Sequence, residues 1–319
     1  KKKVWPVLMT WIKKGNIFNN DSSLSWSKSH AQVPIVEKLN TNELRIYYST
    51  RDSNNESSIS FFDVNINNPS EIIYVHEKPI FLKGNIGTFD DSGVMPAYLL
   101  KENNIKYLYY IGWTTGKTVS YRNSIGLSIS TDNGKTFNRY CDGPIIGTGM
   151  HDSSFTGTFT VYKEKNLYHG FYLSCNKWLK KDSKYEPIYD IKYTYSKDKF
   201  NWIREGHTAI PLKKEEGGIA SSTIVKVNNS YLMWYSYRKK FNYRRNRLNS
   251  YKIGFSVSRD LKNWKRKDNE VGIEKSKNGW DSEMMAYPYV IAHKDKLLMF
   301  YNGNFFGKTG IGYAEKRYR

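Results

Sequence analysis

A pattern that returns five times along the 319 residues limits the folds open to this chain more than any other feature. Each copy leads from small or polar residues into an apolar run: Ser29–Val36, Asp91–Tyr98, Asp152–Phe159, Gly218–Val225 and Asp281–Pro288. An aromatic segment follows every copy, at Leu44–Tyr48, Tyr107–Ile111, Tyr168–Tyr172, Tyr231–Tyr235 and Leu297–Tyr301. A third segment alternates large apolar with small or polar residues, most clearly at Ile125–Ser130, Ile191–Ser196, Ile253–Ser258 and Ile311–Ala314; period-2 alternation marks a strand. The copies lie roughly 60 to 70 residues apart, the scale of a four-stranded propeller blade with long loops.

A turn closes three of the units, at Ser130–Phe137, Ser196–Trp202 and Ser258–Trp264. In each, an Asp is placed to bond its own backbone while an aromatic residue packs on the hairpin. The first of these turns resembles the Asp-box of sialidases, which is structural there, so it marks a fold and not a site. The fifth unit runs out near Ala314 without a fourth strand, and Trp11–Phe18 resembles the outer strands of other units. Pairing first and last segments removes unpaired sheet edges. The expectation is an all-β, five-bladed β-propeller spanning residues 1–319 as one domain, closed by the N-terminal strand pairing with the last blade.

Aromatic residues make up 16% of the chain, which excludes a mainly disordered protein, and two cysteines exclude a disulfide scaffold or a cysteine-rich zinc module. No segment reaches the roughly 20 apolar residues that span a bilayer. Lys1–Ile12 imitates a signal peptide, but Pro6 interrupts it and no small-residue cleavage site follows, so a cytoplasmic protein is expected. A net charge of +20 comes largely from Lys/Asn pairs at loop tips, a solvated surface, and also suits an anionic substrate or contact with a membrane periphery. The densest basic run, Arg238–Arg247, is interleaved with aromatics as in nucleic-acid binders; it sits between two strand segments and reads first as a hairpin loop, so nucleic acid is not the expected partner.

The innermost strands of a propeller line its axis, so their first residues converge. Aligning the five on Pro34, Pro96, Thr158, Ser222 and Pro288 brings Asp91 (preceded by Asp90), Asp152, Glu216 and Glu283 to similar heights, with His30 in the first unit. Such acids either cap the turns at the strand entrances or form a ring of carboxylates around a funnel. A ring would suit glycosidic chemistry, in which one acid stays protonated for the leaving group while another acts as base or nucleophile. Trp113, Trp178, Tyr237 and Phe305 are placed to stack on sugars or simply to pack the blades. Arg51, Arg122 and Arg238 are placed to offset carboxylate charge or grip an anion.

The order of motifs resembles the five-bladed propeller superfamily of glycoside hydrolase families 43, 32 and 68 and the mannoside phosphorylases of family 130. It looks closest to the "glucosyl hydrolase"-type proteins of bacterial surface-polysaccharide clusters. The resemblance rests on Gly87–Val94, Tyr121–Gly126, Gly279–Met284 and Tyr301–Asn304, and covers nearly the whole chain. It implies an enzyme acting on a glycosidic bond, a hydrolase or a transferase or phosphorylase on the same scaffold, without a cofactor and with no metal site assigned. Asp91, Asp152, Glu216 and Glu283 are then the catalytic candidates, and His30, Arg51, Asp90, Trp113, Arg122, Tyr237, Arg238, Tyr287 and Asn304 the substrate-binding ones. The partner expected is a carbohydrate or glycolipid, anionic if the charge is matched. Where the hydrolases carry an Asp in the first blade, this chain reads Ser29-His30-Ala31-Gln32, which favours a non-catalytic carbohydrate-binding propeller as the alternative.

Overall fold

A computed structural model describes residues 10–317, so the signal-like residues 1–9 lie outside the described ones. The chain is nearly all β. Strand β1 (Ile12–Phe18) precedes four meanders of four strands each. They are β2 (Ser29–Lys38), β3 (Glu43–Arg51), β4 (Ser57–Asn65) and β5 (Asn68–Val75), then β6 (Gly93–Glu102), β7 (Ile105–Thr115), β8 (Tyr121–Ser130) and β9 (Asn138–Arg139). The third has β10 (Phe155–Glu164), β11 (Leu167–Lys181), β12 (Lys184–Ser196) and β13 (Thr208–Ile210), and the fourth β14 (Glu216–Val227), β15 (Ser230–Lys239), β16 (Lys252–Ser258) and β17 (Trp264–Arg266). A last unit holds β18 (Ala286–His293), β19 (Lys296–Asn302) and β20 (Ile311–Arg317). Its fourth strand is β1, antiparallel to β20 with Ile12 opposite Glu315 and Phe18 opposite Ile311.

The second strand of each unit is apolar on both faces because both are buried. In β7, Tyr109 and Ile111 join a core with Phe159 and Tyr172 of the next unit, while Leu108 and Tyr110 join one with Tyr47 and Phe61 of the unit before. In β15, Met233 and Tyr235 meet Phe171 and Ile191, and Leu232 and Trp234 meet Val290 and Met299. In β19, Leu298 and Phe300 meet Ile46, Tyr48 and Phe62 of the first unit. Side chains alternate across a strand, so consecutive residues feed neighbouring cores. Each such side chain contributes about 1.5–3 kcal/mol on burial. The first strands follow suit: β2 lies against β6, β6 against β10, β10 against β14, β14 against β18, and β18 against β2.

All five first strands bulge at the positions the sequence aligns. Pairing slips between Gln32 and Ile35, Pro96 and Tyr98, Gly157 and Phe159, Ala220 and Thr223, and Ala286 and Tyr289. A proline is tolerated there because a bulge leaves a residue out of the ladder. Val33, Ser221 and Tyr287 have φ of 54°, 52° and 57°, an uncommon state for residues with a Cβ. Their N–H groups donate to Asn302 Oδ1 (2.7 Å), Thr158 Oγ1 (3.0 Å) and Ser236 Oγ (2.7 Å), each from a neighbouring unit.

Two sets of carboxylates tie this arrangement together. Within units, Asp90, Asp152 and Asp281 are fully buried, and each accepts from the tyrosine 20 residues later: Tyr110 (3.2 Å), Tyr172 (3.1 Å) and Tyr301 (3.0 Å). Each also pairs with a cation from the outer part of its unit: Arg139 (2.6 Å), Arg204 (2.7 Å) and, from β1, Lys13 (2.7 Å). The fourth unit uses Asp268 with Tyr235 and Arg266, and Arg266 also grips Glu216 through both Nη atoms, at 2.7 and 2.9 Å. Between units, Glu102 accepts from Tyr168 (2.9 Å) and Lys199 (2.8 Å), and Glu164 from Tyr231 and Lys226. The three turn aspartates, Asp132, Asp198 and Asp260, each accept from backbone N–H groups of their own turn.

Candidate functional site

Antiparallel register fixes which residues share the end where the first strands begin. Arg51 stands opposite Ser29, Trp113 opposite Gly93, Cys175 opposite Phe155, Arg238 opposite Gly218 and Asn302 opposite Ala286. Below them lies a cavity of about 70 Å³ to which every first strand contributes: Val33, Met95, Thr158, Ala220 and Tyr287. Tyr121, Phe155, Tyr189 and Tyr251 complete an aromatic wall. Among the described residues no carboxylate lines it.

The four catalytic candidates are not brought together there. Asp152 is sealed in its lock with Tyr172, Ser174 and Arg204, and Glu216 in its pairing with Arg266. Asp91 is half-exposed on the turn before β6, accepting from the Gly87 N–H (3.0 Å) and Ser92 (3.0 Å), the capping role. The structural counterparts of Asp152 are Asp90 and Asp281, one and two residues away from the aligned Asp91 and Glu283. A slip of one residue redirects a side chain, so the sequence alignment mixes buried locks with turn residues. Glu283 differs from the others. It is half-buried before β18, its N–H donates to Asn304 Oδ1 (2.7 Å), and its carboxylate accepts no hydrogen bond from a described residue while feeling the Lys275 charge.

The substrate-binding candidates also divide. His30, at φ 66°, bonds Ser29 (2.8 Å), and burial together with Arg51 and Lys308 pushes its imidazole down to about 4, so it is neutral at physiological pH. Arg51 faces Trp113 (5.6 Å) and Tyr287, and burial lowers its guanidinium, which has no carboxylate partner among the described residues. Tyr287 lines the cavity, and Arg238 packs against the ring of its wall residue Tyr189 (4.7 Å). Tyr237 is half-buried beside Glu216 and Arg266. Trp113 donates to Ser57 (2.7 Å) and locks two units, and Asn304 is buried and holds the Glu283 and Met284 N–H groups. Asp90 is a lock residue, and Arg122 is exposed on β8. Trp178 and Phe305, the other aromatics, take part in a ring cluster with Tyr121 and lie exposed, respectively.

Residues 240–251 connect β15 to β16, so the basic run is a hairpin loop from Lys240 onward, with Arg238 and Lys239 still in β15, and it folds inward. Tyr243 stacks on the Arg238 guanidinium (3.7 Å) and donates to Glu186 (2.8 Å), which also accepts from Arg244. The aromatic–arginine alternation that suggested nucleic acid is the visible trace of this cluster. Glu186, Tyr189 and Tyr251 carry no separate signal in the sequence. Among the described residues no group of three His, Cys, Asp or Glu side chains is placed to hold a metal ion, and no helix is long and apolar enough to cross a membrane.

Solved structures share this architecture. A glycoside hydrolase superposes with a TM-score of 0.72 at 18% identity, covering 97% of this chain and 92% of that one. β-1,2-Mannobiose phosphorylase from Listeria innocua, in complex with β-1,2-mannobiose, gives 0.65 at 13% identity over 91% and 90%. A member of the mannoside phosphorylase family 130, described as containing hydrolases of β-1,2-mannosidic linkages in Candida mannan, gives 0.67 at 11% identity over 99% and 95%. At these identities the likeness is one of fold. No family model matches the chain. By sequence it is 30% identical over 307 residues to two Mycobacterium tuberculosis proteins, uncharacterized protein Rv1502 and uncharacterized protein MT1551, covering 96% of this chain and 99% of each relative. The chain belongs to the family of these mycobacterial proteins.

Proposed function

We propose that the chain is a carbohydrate-active enzyme that acts on a glycosidic bond in bacterial surface-glycan metabolism, built as one five-bladed propeller closed by β1. The ring of first strands, the cores between successive units and the β1–β20 pairing support the architecture. The observation that carries the chemistry is Glu283 at the axial end, a half-buried residue whose backbone N–H is held by Asn304 and whose carboxylate accepts no hydrogen bond from a described residue. It is the proton donor in this reading, with the tyrosine wall stacking on the sugar. Asp152 and Glu216 serve the scaffold instead. Turnover of a glycan and glycosyl-phosphate panel tests the assignment: Glu283→Gln should lower kcat at least about 100-fold with little change in Tm. Unchanged kcat in that variant overturns it.

The absence of carboxylates from the cavity wall favours a second reading, a carbohydrate-binding propeller without catalysis. Binding of a glycan by the wild type, unaccompanied by turnover of any panel member, would select it.

A further inference from the structure

Beside the axial cavity, and separated from it by Arg238, lies a larger pocket of about 360 Å³ between the start of β14 and the β15–β16 hairpin. Its walls carry five cations, Lys213, Lys214, Arg238, Lys239 and Lys252 among them, against two acids, Glu215 and Glu216. Glu216 is already neutralised by Arg266, and Lys213 is taken by Asp268. Lys214, Lys239 and Lys252 reach no carboxylate among the described residues, and the Lys252 ammonium lies over the Tyr237 ring (5.1 Å). Arg238 is 1% exposed, yet its guanidinium donates only to neutral oxygens, of Tyr189 (3.1 Å), Lys239 (2.9 Å) and Pro187 (2.8 Å). A buried charge without an opposite partner is costly, and a pocket that leaves one in its wall favours an anion.

A second observation points the same way. Ser250 lines the pocket and is 5% exposed, and its hydroxyl is buried with no hydrogen-bond partner. Buried polar groups are almost always satisfied, so such a hydroxyl at a pocket wall is open to a ligand atom or a water. Nearby cations are crowded enough that burial, Arg247 and Lys252 push Lys275 down to about 8.

We infer that this pocket binds a phosphoryl group, held by Lys214, Lys239 and Lys252 as point charges and by the Ser250 hydroxyl. A dianion matches the surplus of cations better than a single carboxylate does, and lysine, unlike arginine, needs no planar bidentate partner. The volume is also in the range of small-ligand sites. The group arrives either as free phosphate or as the ester on a glycan or glycolipid, and Arg238, in contact with the cavity's aromatic wall, links the pocket to the sugar site. Only that last link rests on the carbohydrate reading.

Calorimetry of the full chain with inorganic phosphate and with a hexose 1-phosphate tests the pocket without any turnover. The wild type should bind at least one of them with Kd below about 1 mM. The triple variant Lys214→Gln/Lys239→Gln/Lys252→Gln should weaken binding at least about tenfold, and Ser250→Ala about threefold or more. A control triple, Lys78→Gln/Lys117→Gln/Lys135→Gln, removes the same charge from exposed residues that do not line the pocket and should leave affinity unchanged. Binding of the hexose phosphate alone identifies the esterified source, and equal binding of both identifies free phosphate. No binding of either, or equal loss in the two triple variants, overturns the inference. Glu283→Gln should leave phosphate affinity intact, so failure of the glycosidic reading and failure of this one are separately visible.

Discussion

The sequence pattern sets Asp152 and Glu283 at one height, yet the structure demands opposite outcomes from neutralising them. In Asp152→Asn the new amide would face Arg204, 2.7 Å from the native carboxylate, with Lys192 at 3.6 Å, a donor turned toward two cations. The Asp152 side chain is 1% exposed, so water cannot replace the lost charge. Breaking a buried pair costs about 3–5 kcal/mol, but Arg204 is 23% exposed and regains part of its hydration, which brings the expected loss to about 2–4 kcal/mol. An unfolding entropy of about 2.1 cal/mol/K per residue turns this into a Tm decrease of about 3–6 °C for a chain of this length. Specific activity of the folded fraction should stay within about twofold. Glu283→Gln should do the reverse, with Tm within about 1 °C and turnover lost. Thermal melts at pH 7 and initial rates on one glycan substrate are sufficient to separate the two. An Asp152→Asn protein that melts with the wild type and loses turnover about 100-fold would refute the lock and restore Asp152 as a catalytic acid.

Two further expectations concern stability. Asn302→Ala removes both the acceptor of the Val33 N–H (2.7 Å) and the donor to Ala31 O (2.6 Å) at a fully buried site; chemical denaturation should show a loss of about 2–5 kcal/mol. Lys316 is 1% exposed, its ammonium lies over the Trp11 ring (5.5 Å) with no hydrogen-bond partner among the described residues, and burial pushes it down from 10.5 to about 8. A depressed lysine contributes its full stability above 10.5 and loses it as pH falls through about 8, so Tm should rise between those values. Lys316→Met should raise Tm at pH 7 and flatten that rise; an unchanged slope would exclude Lys316 as its source.

The phase of the repeat is readable from the residues because strand, bulge and turn each have a local cause. Prolines and small residues mark all five bulges, the Asp-turns close on their own backbone, and Trp11–Phe18 looks like an outer strand and pairs as one. The carboxylates were harder to place. Asp90 and Asp91 are adjacent, and only the 20-residue spacing to Tyr110, repeated for Asp152 with Tyr172 and Asp281 with Tyr301, tells which one turns inward. That spacing is present in the sequence; what it lacks is the identity of the third partner, which comes from Arg139, Arg204 or Lys13, in the last case about 270 residues away. The pocket beside Arg238 is less legible still, since its walls come from a loop before β14 and from both strands of a hairpin.

The placement of acids and bases also bears on what the axial end can receive. Asp90, Asp152, Asp281, Glu216 and Asp268 are spent inside the units, and Glu102 and Glu164 between them. Glu283, the paired Glu186 and the turn carboxylate Asp91 remain at an end that carries Arg51, Arg238, Arg244 and Lys275. His30 adds no charge there, because burial, with the Arg51 and Lys308 charges beside it, keeps it neutral. A site with this balance repels cations and holds a neutral sugar only by stacking and hydrogen bonding, whereas a ligand carrying its own negative charge gains from the three arginines and Lys275. On this argument a neutral glycan and its phosphorylated form should differ in affinity by at least about tenfold, and by less as salt rises toward 1 M, where the screening length falls to about 3 Å.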